Sequence, residues 1–196
     1  MSSVIISGDT SGSITLSAPA VSGTNTITLP AASGVVSVSG NMPAFSAYAS
    51  ANQNITSTVV TKVTLDTEEF DTGGCFNNTG STVTLNGLSV PSYSFCPNVA
   101  GYYQVSAQLR YAVSVGTIAS TFANFVKNGS PIYRFNELTT GSYSSGLSVI
   151  GSALIYLNGT GDYISIEGLI NGTSPFFQTA GTPYTGRLQA VLVRSA

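Results

Sequence analysis

The feature that most constrains this chain is its punctuation. Asn77-Asn78, Asn86-Gly87, Asn128-Gly129, Ser130-Pro131, Asn158-Gly159, Asn171-Gly172 and Gly181-Thr182-Pro183 break the larger C-terminal part into short runs. Asn-Gly supplies the two positive-φ residues of a type I′ turn, so between apolar runs it is the strongest local hairpin signal. The runs are β-branched and aromatic: Val59–Leu65, Thr82–Leu85, Tyr93–Phe95, Gly101–Leu109, Phe122–Val126, Leu147–Leu157, Tyr163–Glu167 and Leu188–Val193. Such side chains suit a pleated, half-buried surface, and no helical period of useful length interrupts them. Roughly eight to ten strands at this spacing predict an all-β sandwich or jelly roll.

The N-terminal part has a different character. Between Asp9 and Lys62 there is no charged residue. Gly12–Leu16 and Thr24–Leu29 alternate in the strand manner and look like copies of one unit, with Ile14, Leu16, Ile27 and Leu29 on the apolar face. Val35–Val38 reads as a third short strand. Three strands of small side chains cannot bury a core alone, so this arm must lie on its own domain, on its copies or on a partner. The sequence thus predicts a β-rich arm over 1–57, used for attachment or oligomerisation, and a compact β domain over 58–196. Ile14, Leu16, Ile27 and Leu29 are its candidate anchors.

Charge narrows the function classes. Only 7% of residues are charged, six Lys plus Arg against eight Asp plus Glu, and 42% are hydrophobic, so the chain is not disordered. Six scattered basic residues make no phosphate-neutralising stripe, which argues against nucleic acid as a partner. A soluble surface usually carries about 25–35% charged residues. A coat this weak in charge predicts that association with other subunits is the native state. No apolar run approaches the roughly 20 residues of a spanning helix, so no membrane partner is expected. The start lacks the basic and apolar regions of a secretory signal, so the expectation is synthesis in the cytoplasm.

The inventory for catalysis is nearly empty. There is no His, hence neither the commonest general base nor the commonest metal ligand. No Ser-x-x-Lys pair occurs, and Asp162 and Glu167, five apart on one expected strand, point to opposite faces. No catalytic residue, enzyme activity or cofactor is expected. Asp66, Glu68, Glu69 and Asp71 cluster, and a loop of carboxylates can hold a hard cation. Their spacing does not match a calcium loop, however, and a solvated acidic loop is the plainer reading. Cys75 and Cys96 stand 21 positions apart. They are either a disulfide, worth on the order of 3 kcal/mol by loop closure, or two buried thiols, the plainer alternative. The sequons at Asn54, Asn77, Asn128, Asn158 and Asn171 would matter only in a secreted protein.

Four stretches are more specific. Phe70-Asp71 is followed by Tyr93-Ser-Phe-Cys-Pro-Asn-Val-Ala-Gly-Tyr-Tyr-Gln-Val105, then by Gly161-Asp-Tyr-Ile-Ser-Ile166 and Tyr184-Thr-Gly-Arg-Leu188. Together these resemble the C1q/TNF-like jelly roll over roughly residues 58–196, with its Phe-x-x-Pro-x-x-Gly-x-Tyr-x-Phe run, its Gly-Asp-x-Val-x-Leu strand and its closing Phe-Ser-Gly-x-Leu. Val105 stands where an aromatic is usual, and the spacing after Pro97 is one residue longer. The resemblance implies a ten-stranded jelly roll assembled as a compact homotrimer around inner-face aromatics. Tyr102, Tyr103, Tyr111, Phe122, Phe125, Tyr133, Phe135, Phe176 and Phe177 are the candidates for trimer axis or core. For each of them, ordinary monomer core is the competing reading.

Gly12–Pro30 is in turn similar to the uncharged N-terminal segments of bacteriophage virion proteins, tail-fibre-like and head-decorating alike. With a C1q-like head, this resemblance implies a virion structural protein, made in the host cytoplasm and incorporated into the particle. The leading expectation is a trimeric capsid decoration (cement or head-fibre) protein. Its partners would be the major capsid protein or other virion proteins. The alternative is a short tail fibre or receptor-binding tip whose partner is a host surface glycan.

Overall fold

The structure, a computed structural model, describes residues 3–21, 23–26, 36, 38–139, 141–143, 146–179 and 186–196. It divides into two compact units, Met1–Val35 and Val36–Ala196. In the first unit, β1 (Ser3–Ser7) and β2 (Ser13–Ser17) form an antiparallel hairpin in which Val4 faces Leu16 and Ile6 faces Ile14. Thr24–Thr26 are not in a strand, and Ile27 and Leu29 lie outside the described residues. Val36 and Val38, from the third strand expected in the arm, are not in a strand either.

The second unit opens with short strands: β3 (Ala44–Tyr48), β4 (Gln53–Asn54), β5 (Thr61–Lys62), β6 (Thr67–Asp71), β7 (Phe76–Asn77), β8 (Val83–Leu85), β9 (Leu88–Val90) and β10 (Ser94–Phe95). Longer strands follow: β11 (Gly101–Lys127), β12 (Ser130–Leu138), β13 (Gly146–Leu157), β14 (Ile164–Phe177) and β15 (Arg187–Ser195). Among the described residues the only helical piece is the 3₁₀ turn Ser39–Asn41.

β11, at 27 residues, serves both layers of the sandwich. Its first half lies between β13 and β15, and its second half between β12 and β14. The neighbour of β11 changes from β15 to β14 between Gln108 and Tyr111, and a register shift between Val115 and Ser120, with Gly116 at φ 77°, interrupts the β14 pairing. One layer therefore runs β6-β3-β15-β11-β13 and the other β7-β10-β14-β11-β12. The stretches Gly101–Leu109 and Phe122–Val126, read from sequence as separate strands, are two ends of this one strand.

Period-two alternation builds the core. Odd residues of β11, among them Tyr103, Val105, Leu109 and Phe125, turn inward against Ile164, Ile166 and Ile170 of β14. At one end Phe45 is sandwiched between Phe76 and Phe95, with ring centroids 4.8 and 4.4 Å away, and Tyr103 meets Phe95 edge-on at 5.6 Å. This moves the domain boundary expected at 57/58. β3 is hydrogen-bonded between β15 and β6 and supplies the central ring of the stack, so residues 36–57 belong to the jelly roll.

The turn signals fare unequally. Asn86-Gly87 (φ 50° and 76°) and Asn128-Gly129 (φ 52° and 79°) close the two-residue hairpins β8–β9 and β11–β12. Asn158-Gly159 opens a longer loop into β14. Asn171-Gly172 is no turn: it lies inside β14 opposite the bulge of β11, where a Cβ on Gly172 would meet Val113 Cγ1 at 2.5 Å.

Candidate interaction surfaces

The aromatic candidates separate by burial. Tyr103, Tyr111, Phe125 and Phe177 are fully buried inside the protomer and so face no partner. Phe135 is half-buried against Phe125, ring centroids 4.7 Å apart, and Phe122 lies under the Arg134 guanidinium at 4.2 Å on the β12 layer. Phe176 is half-buried beside β4, and Tyr133 is exposed on β12. Of the set, Tyr102 alone presents its ring on the outward face of the β6-β3-β15-β11-β13 layer, where it tilts against Tyr156 at 5.4 Å.

That outward face carries the residues missed from sequence. The register aligns Tyr102 with Tyr156, Gln104 with Leu154 and Gln108 with Ile150 on one side, and Gln104 with Val191 on the other. Ile150 is 73% exposed, Leu154 54% and Val193 59%, and Phe70 continues the patch across β6. A shallow groove of about 300 Å³ runs between Phe70, Val191 and Gln104. The signal was present: Val149-Ile150 and Leu154-Ile155-Tyr156-Leu157 are apolar at both parities, as in strands covered on both faces. One face is covered by the protomer's own core, and the other is open to solvent. At its margin Arg187 bridges Glu69 (Nη2 to Oε1 2.8 Å), and Gln189 Nε2 donates to Ser46 Oγ at 2.9 Å.

The acidic cluster does not converge. Asp66 accepts from the Ser50 amide and hydroxyl at 2.7 and 2.6 Å, Glu69 is taken by Arg187, and Asp71 accepts from the amides of Gly73, Cys75 and Phe76. Glu68 stands apart; burial, then the nearby Asp71 charge, raises its pKa. Among the described residues no group of three or more His, Cys, Asp or Glu is placed to hold a metal ion. Asp66 and Asp71 tie loops to the sandwich, and Glu69 links β6 to β3 and β15.

A second polar knot explains the Gly-Asp motif. Asp162 accepts from Lys127 Nζ at 2.8 Å, Asn128 Nδ2 at 2.7 Å and the Asn158 amide at 3.1 Å, while Asn128 Oδ1 accepts from the Tyr163 amide. Burial pushes the Asp162 carboxyl up, but the Lys127 and Asn128 bonds and the Lys127 charge prevail and hold it below its ordinary value. In the Pro-Gly-Tyr motif, Gly101 is required because a Cβ there would sit 2.3 Å from the Arg194 carbonyl oxygen. Tyr103 turns its hydroxyl back to the Val99 carbonyl at 2.7 Å.

The hairpin of the first unit has two unlike faces. Val4, Ile6, Ile14 and Leu16 occupy one, and Ser3, Ser7, Ser13, Thr15 and Ser17 surround Ile5 on the other. All four aliphatics of the first face are more than half exposed.

No family model matches the sequence, and no curated protein is similar to it. Among solved structures, the globular domain of a zebrafish complement 1qA protein superposes with a TM-score of 0.50 at 16% identity, covering 79% of this chain and 99% of that one. The Eiger TNF of S. frugiperda (TM-score 0.48, 13% identity, 79% and 93% covered) and murine APRIL (0.49, 14%, 78% and 99%) are also similar. The fold is thus an all-β, C1q/TNF-like jelly-roll sandwich. At such identities the likeness is one of architecture.

Proposed function

We propose that this chain is a structural protein of a bacteriophage virion, a homotrimeric capsid decoration protein whose head is the jelly roll and whose N-terminal arm attaches it to the shell. The observation that carries the attachment is the arm hairpin. Its aliphatic face of Val4, Ile6, Ile14 and Leu16 is more than half exposed, and a two-stranded hairpin alone is marginal in water. An aliphatic face of this kind, on a hairpin whose one charge is Asp9 in the turn, is held by apolar contact and main-chain pairing at a sheet edge, contacts that salt hardly screens. Support for the trimer is the outward face bearing Tyr102, Ile150, Leu154, Tyr156 and Val191, an apolar surface in a chain with few charges to keep copies apart. Three arms on one head would multiply weak contacts into firm attachment.

The test is binding of the full chain to undecorated capsids, beside an Ile14→Asp/Leu16→Asp variant, with solution mass measured on both. The reading expects trimers in both cases and capsid binding only by the unaltered chain. Substitution is preferable to removing residues 1–57, because that cut would also delete β3 from the head. A chain that ignores capsids but holds to host cells in a glycan-dependent way would replace decoration with the short tail-fibre reading. A monomer at all concentrations would refute the assembly.

A further inference from the structure

We propose that Cys75 and Cys96 are a cross-strand thiol pair that a small-molecule disulfide, such as oxidised glutathione, closes to an intramolecular disulfide stapling the β7–β10 end of the sandwich. The register is the first ground. β7 and β10 pair Asn77 with Ser94 and Phe76 with Phe95, and the next step in this antiparallel ladder sets Cys75 opposite Cys96. Just past the end of the ladder the Cys96 amide donates to the Cys75 carbonyl at 2.8 Å, which holds the two backbones side by side at that step, while the Cys75 amide turns to Asp71. Directly opposed residues share a face and have Cα atoms about 4.5–5.5 Å apart, within the roughly 4.4–6.8 Å that a disulfide spans. Spacing in sequence could not show this; pairing of two two-residue strands does.

Reactivity is the second ground. Both thiols are free and buried, and burial raises the pKa of each, so neither reacts while the region is closed. Yet β7 is the last strand of its layer and only two residues long, and such short edges open locally at little cost. Loop residues form part of the cover over Cys75: Asn86, at the tip of the β8–β9 hairpin, reaches its Sγ at 3.5 Å and the carbonyls of Gly73 and Gly74, and the Sγ also meets the Gly73 carbonyl at 3.3 Å and Asn98 Oδ1 at 3.8 Å. On opening, the thiolate of one cysteine attacks the reagent's S–S bond and releases one small thiol. The thiolate of the other then attacks the mixed disulfide and releases the second. Two protein thiols lose two electrons and two protons, and the reagent is reduced to two thiols.

The experiment incubates the full chain with oxidised glutathione just below its melting temperature. Intact mass, thiols titrated after denaturation, and Tm are then read before and after reduction. The expected result is a chain lighter by two hydrogens, with no titratable thiol and no adduct. Its Tm should be higher by about 7–13 °C, from closure of a loop of this length in a domain of this size. Reduction should restore the starting Tm. Cys75→Ala and Cys96→Ala, with no second thiol to resolve the mixed disulfide, should each stop at a single glutathione adduct that reduction removes and show no oxidant-dependent rise. In the unaltered chain, two thiols still titratable, a stable glutathione adduct, or chains linked to one another would each overturn the proposal.

Discussion

Phe45 offers the sharpest test of where the head begins. It sits in β3, ahead of the boundary expected from sequence, yet it is 1% exposed and lies between two stacked rings. Truncating a buried Phe to Ala costs about 3–5 kcal/mol, because transfer energy is lost and a cavity remains. Each stacked pair is worth roughly 0.5–1.5 kcal/mol beyond area burial. Losing two places Phe45→Ala near the upper end, about 4–5 kcal/mol. For a domain of this size each kcal/mol moves Tm by about 2–4 °C, so a fall of about 8–20 °C is expected. Phe45→Leu keeps most of the volume and should lose only about 1–2 kcal/mol. The assay is urea unfolding followed by far-UV circular dichroism at one fixed protomer concentration, since assembly shifts apparent stability. The urea slope should stay unchanged and the midpoint should fall. A loss below about 1 kcal/mol for Phe45→Ala would refute the assignment of β3 to the core and return the boundary to residue 58.

Three further outcomes are expected. Gly151→Ala should destabilise by about 1–3 kcal/mol in the same assay, because its Cβ would sit 2.2 Å from Phe135 Cγ in a packed layer. Asp162→Ala should cost about 2–3 kcal/mol near neutral pH by leaving Lys127, Asn128 and the Asn158 amide short of an acceptor. Because the folded pKa of Asp162 is depressed, its contribution is fully present above the unfolded value of about 3.9 and is lost as pH falls through the lower folded value. The deficit of the variant should therefore shrink in acid, and a deficit unchanged down to about pH 2 would contradict the charge argument. Leu154→Glu, which puts a carboxylate into the open apolar face, should lower the solution mass to that of one chain while leaving the circular dichroism of the fold intact. An undiminished oligomer would move the interface elsewhere.

Much of the fold was legible, and the reasons can be named. Alternation in Gly101–Leu109 and the Asn-Gly turns at 86 and 128 are local: a two-residue period and a positive-φ pair act within one or two residues. The motif glycines and Asp162 were legible only as resemblance, since what Gly101 avoids and what Asp162 binds lie far along the chain. The aromatic candidates mixed two populations. Tyr103 and Phe125 differ from Tyr102 by the parity of one strand, and which parity faces the core depends on what packs over it. The open face was visible only as strands apolar at both parities. The acids illustrate the opposite error, because proximity in sequence suggested a shared site while Ser50, Arg187 and the 73–76 amides draw them apart.

By itself, the sequence determined that this protein is built of β-strands, where its tight hairpins turn, and that its arm and head carry little charge. Those properties are short-range or compositional, fixed by backbone sterics and side-chain type. Only the tertiary structure decided that β3 belongs to the head, that one strand bridges both layers, that an apolar face is left open beside Tyr102, and that Cys75 lies opposite Cys96. Each of these depends on which strands pair across long separations. Pairing is set by burial of the whole core and closure of the sandwich, which no local window of residues contains.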